Sequence, residues 1–277
     1  MTDDSTFTEE TPTVAACQIA VTDLDVAANL HAVCERVTDL PPEVDVALFP
    51  EYALTGFVGD ERVRDAAIAR DGPEFGRLAD LAVATDTALL VGFAERAGGD
   101  ADTGETYYNA VAYLDPRADG DAGTGAVETT VYRKRHLWGS EEELLEPGDE
   151  RVTVETPVGT AGLLTCYDLN FVGESAAFAA PEIEALFVVG AWPAAHSQNW
   201  KLLLRARALD GVRWVVGAGR TGRKTVGDPT QYAANSRVVR PDGSVQAGLN
   251  CGERDLVADL DPAVLAECRE FVPVLDG

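Results

Sequence analysis

Short apolar runs and amphipathic stretches alternate along nearly the whole chain. Residues 13–21 (TVAACQIAV) and 44–49 (VDVALF) are apolar runs of strand length, and residues 25–40 between them carry apolar positions at helical spacing. Residues 73–87 place Phe75, Leu78, Leu81 and Val83 on a helical pattern that leads into a strand at 88–93. Three extended stretches follow, 108–114, 126–133 and 151–155, which read as antiparallel strands. The Gly- and Asp-rich residues 115–125 between the first two form a surface turn. A strand at 159–166, a helix near 174–180, a strand at 185–189, a long helix over Ser197–Leu209 and a strand at 214–217 come next. Residues 233–245 hold Pro241-Asp242-Gly243 between extended stretches, a hairpin signal, and a strand at 255–260 and a helix at 262–269 close the pattern. Strands and helices interleave without an internal repeat or a break in composition. This is the pattern of one α/β domain over residues 12–273, with an acidic, disordered lead (1–11) and a short tail (274–277).

Charge narrows the class. The 277 residues hold 47 acids against 22 Lys and Arg, a formal net charge of −25. Such a field repels phosphate backbones and argues against nucleic-acid binding. No apolar run reaches the roughly 18 residues of a membrane span, and the first ten residues lack the apolar core of a secretory signal. The expectation is a cytoplasmic protein without membrane contact. The acids are spread along the chain rather than blocked, as in a surface adapted to a salty cytoplasm, so a halophilic source is expected.

Five cysteines (Cys17, Cys34, Cys166, Cys251, Cys268) are too scattered for a disulfide framework. The three histidines (His31, His136, His196) have no metal-ligand spacing. Four of the thiols read as small core hydrophobes. Cys166 differs because it ends an apolar strand and precedes a turn into a helix, where backbone N–H groups meet an incoming carbonyl. Glu51 and Lys134 also stand at the ends of apolar runs. A carboxylate there is partly desolvated, which raises its pKa and makes it a base. An ammonium there can hold an oxyanion or lower a thiol's pKa. Singly, each has an ordinary reading: a helix cap, a surface cluster offsetting the acids, an inert core thiol.

Together the three form a set. The order Glu51, Lys134, Cys166, in the contexts FPEYALTGF, YRKRHL and GLLTCYDLNF, resembles the nitrilase (carbon–nitrogen hydrolase) superfamily, in its amidase-like branch. The likeness extends over roughly residues 12–273. It includes Tyr107-Tyr108-Asn109 before the Lys segment, Glu141 or Glu143 before Pro147-Gly148-Asp149, Trp192-Pro193, the helix segment Arg205-Ala206-Arg207-Ala208, and Ser236 before Pro241-Asp242-Gly243.

The resemblance implies a four-layer α-β-β-α sandwich and hydrolysis of a small amide through a cysteine thioester, without metal or organic cofactor. Cys166 would be the nucleophile and Glu51 the proton carrier, with Lys134 and the Tyr167 backbone N–H holding the oxyanion. Glu141 would be the second glutamate, with Glu143 as the alternative. Asn170, Trp138 and Trp192 would line the substrate site, and the enzyme would be a homodimer or a higher homo-oligomer. Departures from the family pattern cluster at the substrate end. Leu169 and Asn170 stand where relatives acting on carboxylate-bearing substrates carry Arg, and Gly219-Arg220 stands where many have Ala-Asn. These favour a small neutral or aliphatic amide over an N-carbamoyl compound or a nitrile. Arg220 could contact an anion or face solvent.

Two rivals remain: a Cys–His hydrolase using His136 or His196, and a catalytically idle binding relative. The GxGxxG of Gly217, Gly219 and Gly222 is followed by a loop-like stretch rather than a helix pattern, so dinucleotide binding is not indicated.

Overall fold

Successive residues of a strand face opposite ways, and in this chain both faces of the main strands are apolar, so each strand must be covered twice. The computed structural model describes residues 11–98, 104–117, 127–224, 226–227 and 229–275. Nearly all of the acidic lead, most of the turn after Asp115 and the last two residues of the tail lie outside the described residues. From the amino end, β1 (Thr13–Gln18) is followed by α1 (Val26–Thr38), β2 (Val46–Leu48), α2 (Arg62–Asp65), α3 (Pro73–Thr85), β3 (Ala88–Ala97), β4 (Thr106–Asp115) and β5 (Glu128–Arg133). Then come α4 (Glu141–Leu144), β6 (Thr153–Thr156), β7 (Gly159–Thr165), α5 (Val172–Ala177), β8 (Ile183–Gly190), α6 (Ser197–Leu209) and β9 (Trp214–Gly219). The strands β10 (Arg237–Val239), β11 (Val245–Gly248) and β12 (Arg254–Asp259) and the helix α7 (Pro262–Phe271) complete the order.

These strands make two six-stranded sheets, β12-β1-β2-β3-β4-β5 and β11-β10-β9-β8-β7-β6. Each has a parallel centre, β1-β2-β3 and β7-β8-β9, with antiparallel flanks. Val14 and Ala16 of β1 join Phe187, Val189 and Trp214 in a core between the sheets, while Ala15 and Cys17 join the core shared with α1 and α3. Trp200, Leu204 and Ala208 of α6 cover the outer face of the second sheet. Burying each large side chain contributes about 1.5–3 kcal/mol. The layers run helix, sheet, sheet, helix, as the resemblance implies. Among the described residues no helix is long and apolar enough to cross a membrane.

The third extended stretch departs from the expectation. β6 does not continue the β4–β5 meander; it pairs with β7 in the other sheet, across a turn closed by Gly159 at φ +100°. The chain therefore crosses between sheet edges over residues 134–152. That crossing carries Lys134 and Glu141.

Candidate active site

Three strand ends converge, and each is fixed locally. Past β2, Phe49 still donates to the Leu90 carbonyl (2.7 Å), and the chain then turns so that Glu51 lies against β3. Gly92 makes the approach possible: a Cβ there would stand 2.5 Å from the Pro50 carbonyl oxygen and 2.8 Å from the Glu51 Cα. Lys134, directly after β5, donates its backbone N–H to the Asn109 carbonyl (2.8 Å). Cys166 follows β7 at φ +47°, a strained conformation for a non-glycine residue, and opens a 3-10 helix over Cys166–Asn170. The buried Asp168 carboxylate ties this turn to its neighbours, accepting from the Thr165 N–H (3.0 Å), the Tyr132 hydroxyl (2.7 Å) and the His136 N–H (3.0 Å). Burial pushes Asp168 up to about 6, against the pull of those donors and of Lys134.

At the centre, the Lys134 Nζ donates to Glu51 Oε1 (2.9 Å) and Glu141 Oε2 (2.7 Å), all three residues being no more than 4% exposed. The Asn109 Nδ2 donates to Glu51 Oε1 and Glu141 Oε1, both at 2.7 Å. Glu141 Oε1 also accepts from the Tyr52 hydroxyl (2.6 Å), and Oε2 accepts from the Trp138 N–H (2.9 Å). The other Glu51 oxygen accepts from the Ala191 N–H (2.8 Å), and the Cys166 thiol is within hydrogen-bonding reach of Glu51. A carboxylate, an ammonium and a thiol thus share one pocket.

A family model described as carbon-nitrogen hydrolase matches residues 13–270. The chain belongs to the carbon-nitrogen hydrolase family. It is 31% identical over 277 residues to a 2-oxoglutaramate amidase of Paenarthrobacter nicotinovorans, covering 95% of this chain and 88% of that one. Against an (R)-stereoselective amidase of a Pseudomonas species it is 30% identical over 252 residues, covering 91% and 86%. The solved structure of Saccharomyces cerevisiae Nit3, a member of branch 10 of the nitrilase superfamily, superposes with a TM-score of 0.81 at 26% identity, covering 95% of this chain and 94% of that one.

In this carbon-nitrogen hydrolase the protonation pattern differs from what strand-end positions suggest. Burial alone would push Glu51 up, but the Lys134 charge and the hydrogen bonds from Lys134, Cys166 and Asn109 outweigh it and hold the carboxyl below its ordinary value. The Cys166 thiol is pushed well up by burial and by the Glu51 charge, which together exceed the pull of Lys134. The resting set is therefore carboxylate, ammonium and neutral thiol, titrating as a coupled group. Acid protonates Glu51 only below its ordinary value of 4.5, and the thiol does not ionise below its ordinary 9.0. A profile of kcat/KM should therefore be flat from about pH 7 to 8, above the range in which Asp168 titrates. A rate rising tenfold per pH unit through that window would mean that free thiolate is required.

The cavity beside the thiol has a volume of about 490 Å³ and is lined by Tyr167, Asn170, Trp138 and Trp192, among others. Trp138 is 55% exposed at its mouth and Trp192 is buried. Glu143 is exposed and stands outside the centre; Glu141 is the glutamate that reaches Lys134. His136 is bonded to Glu174 (3.0 Å) and stacked on Phe171, whereas His196 lines the cavity. Arg220 does not face solvent: it is buried and paired with Asp23 at 2.8 Å. Cys251 is exposed rather than in the core, and Cys34 and Cys268 are half-buried; only Cys17 matches the expected core position. Among the described residues no group of three or more His, Cys, Asp or Glu side chains is arranged to hold a metal ion. Asn109, Tyr52 and Asp168 carry most of the hydrogen bonding yet received no role from the sequence. The available signal was a polar Asn heading the otherwise apolar NAVAYL run of β4.

Proposed function

We propose that this carbon-nitrogen hydrolase cleaves small neutral amides through a thioester on Cys166. The observation that carries the reading is the Glu51 carboxylate, shared between the Lys134 ammonium and the Cys166 thiol in a buried pocket. The Cys166 sulfur attacks the carbonyl carbon as its proton passes to Glu51, and the oxyanion is held by Lys134 Nζ and the Tyr167 N–H. Glu51 returns the proton to the leaving nitrogen, the C–N bond breaks, and ammonia or an amine departs. Glu51 then takes a proton from water, whose oxygen attacks the thioester; the acid leaves and Cys166 regains its proton. Glu141 keeps Lys134 oriented, while Trp138, Trp192 and Asn170 border the substrate. The two relatives named as amidases support the choice of amides. So does the absence of arginine at Leu169 and Asn170, which removes one way of clamping a carboxylate.

The remaining expectations belong to the same proposal: residues 12–273 as a single unit, a homodimer or higher homo-oligomer in a salty cytoplasm, and a halophilic source. The net charge of −25 supports the salt reading. Val172 of α5, just past the nucleophile turn, and Leu202 of α6 are 66% and 64% exposed and support pairing across a two-fold axis. A panel of linear aliphatic amides, ω-amides, N-carbamoyl compounds and nitriles, followed by ammonia release, tests the function. Aliphatic amides should turn over, with the acyl mass appearing on the Cys166 peptide after acid quench. Turnover confined to nitriles or N-carbamoyl compounds would overturn the amide reading.

A further inference from the structure

A guanidinium lies buried just past β9. Arg220 is 1% exposed, and its Nη2 donates to the Val21 carbonyl (2.9 Å) and to Asp23 Oδ1 (2.8 Å). The Asp23 side chain is buried equally deeply, 2% exposed, in the connection after β1. The pair therefore joins the two sheets at the carboxyl ends of their central strands. On the first sheet, Asp23 Oδ1 also accepts the Phe57 N–H (3.1 Å), and the Leu24 N–H donates to the Thr55 carbonyl (2.9 Å). Gly56, at φ +64°, lets the two turns pack backbone to backbone: a Cβ there would lie 2.5 Å from the Asp23 Cα. On the second sheet the guanidinium lies 4.1 Å over the ring of Tyr232. Phe57 and Tyr232 both line the reaction cavity.

Stability is a poor reason for this arrangement. A buried ion pair gives little or nothing over a well-packed apolar pair. Here the Arg220 Nε and Nη1 have no hydrogen-bond partner among the described residues. What the guanidinium does do is fix Phe57, through Asp23, relative to Tyr232, through its own flat face.

We infer that Arg220 is a positioning residue that determines specificity: it sets the spacing of the Phe57 and Tyr232 walls and so selects amides by the length of the acyl chain. This rests on the amide reading above. An acyl chain too short to touch both rings across a cavity of about 490 Å³ should depend little on their spacing, whereas one long enough to touch both should depend on it.

The test compares acetamide with hexanamide. Binding is read in a Cys166→Ala background by quenching of tryptophan fluorescence, and kcat and KM are read in the Cys166 enzyme. Arg220→Lys keeps the charge beside Asp23 but loses the flat stack. The double variant Asp23→Asn with Arg220→Gln removes both charges, so no unpaired buried ion is left if the single variant misfolds. In each, hexanamide should bind about tenfold more weakly and acetamide less than about threefold more weakly, with the loss on KM rather than kcat. Tyr232→Leu, which leaves the Arg220–Asp23 pair in place, should reproduce the chain-length dependence. Equal weakening of both amides in folded variants, or none, would overturn the inference. No turnover of any amide by the unaltered enzyme would instead overturn the amide reading, while the binding comparison still decides the role of Arg220.

Discussion

Cys166→Ala should reduce ammonia release to background, a loss on the order of 10⁶-fold in turnover, with the fold intact. The size of the effect follows from the reaction: without the sulfur there is no thioester, and water must attack an unactivated amide. The four other thiols cannot substitute, since Cys17 faces α1 and α3 and the rest lie outside the cavity lining. The fold should survive because the turn is held by Asp168 and by backbone bonds rather than by the sulfur. Alanine inherits the same φ of +47°, so the strain is not relieved and the thermal midpoint should move by less than about 4 °C. Circular dichroism and ammonia release on the same preparation check both halves. A folded Cys166→Ala variant that retains turnover would remove the thioester from the mechanism.

How much of this was legible follows from where the information lies. The four layers were readable as a resemblance, and most strands and helices from periodicity, because both faces of β1, β2 and β8 are apolar and the helices carry a single apolar stripe. The partner of β6 was not readable, because a short strand such as TVET has the same pattern in either sheet. Glu51, Lys134 and Cys166 stood out because each follows an apolar run and their order matched. The choice between Glu141 and Glu143 needed coordinates, since positions two apart lie on opposite sides of a one-turn helix and the sequence does not say which side faces Lys134. The direction of the Glu51 shift lies beyond the local pattern, because a strand-end position reveals burial but not the neighbouring ammonium, which arrives from 83 residues away. Arg220 was equally opaque, as Asp23 lies 197 residues before it. Long-range pairing is the part a local pattern cannot contain.

That ammonium sets up the other large effect. Lys134→Gln should lower kcat by at least about 10²-fold, since one oxyanion donor alone contributes about 3 kcal/mol, and it should also destabilise the protein. Glu51 and Glu141 would remain buried, both bonded to the Asn109 amide, with no cation between them; an uncompensated buried charge costs about 3–5 kcal/mol. Glu51 would relieve this by taking up a proton. For Glu51 the sign is fixed: Lys134 is the chief reason its carboxyl lies below the ordinary 4.5, and without it burial is opposed only by the Cys166 and Asn109 hydrogen bonds and moves the value upward. The acid limb of kcat/KM should therefore move toward neutrality, so that the residual activity climbs with pH where the unaltered enzyme is flat. Stability shifts in the same sense: the contribution that a depressed Glu51 makes above its ordinary value is lost in the variant. A pH profile and thermal unfolding of the two proteins separate the roles. If the midpoint falls but the limb stays below 4.5, Lys134 braces the pocket without governing Glu51, and the proton carrier has to be sought elsewhere.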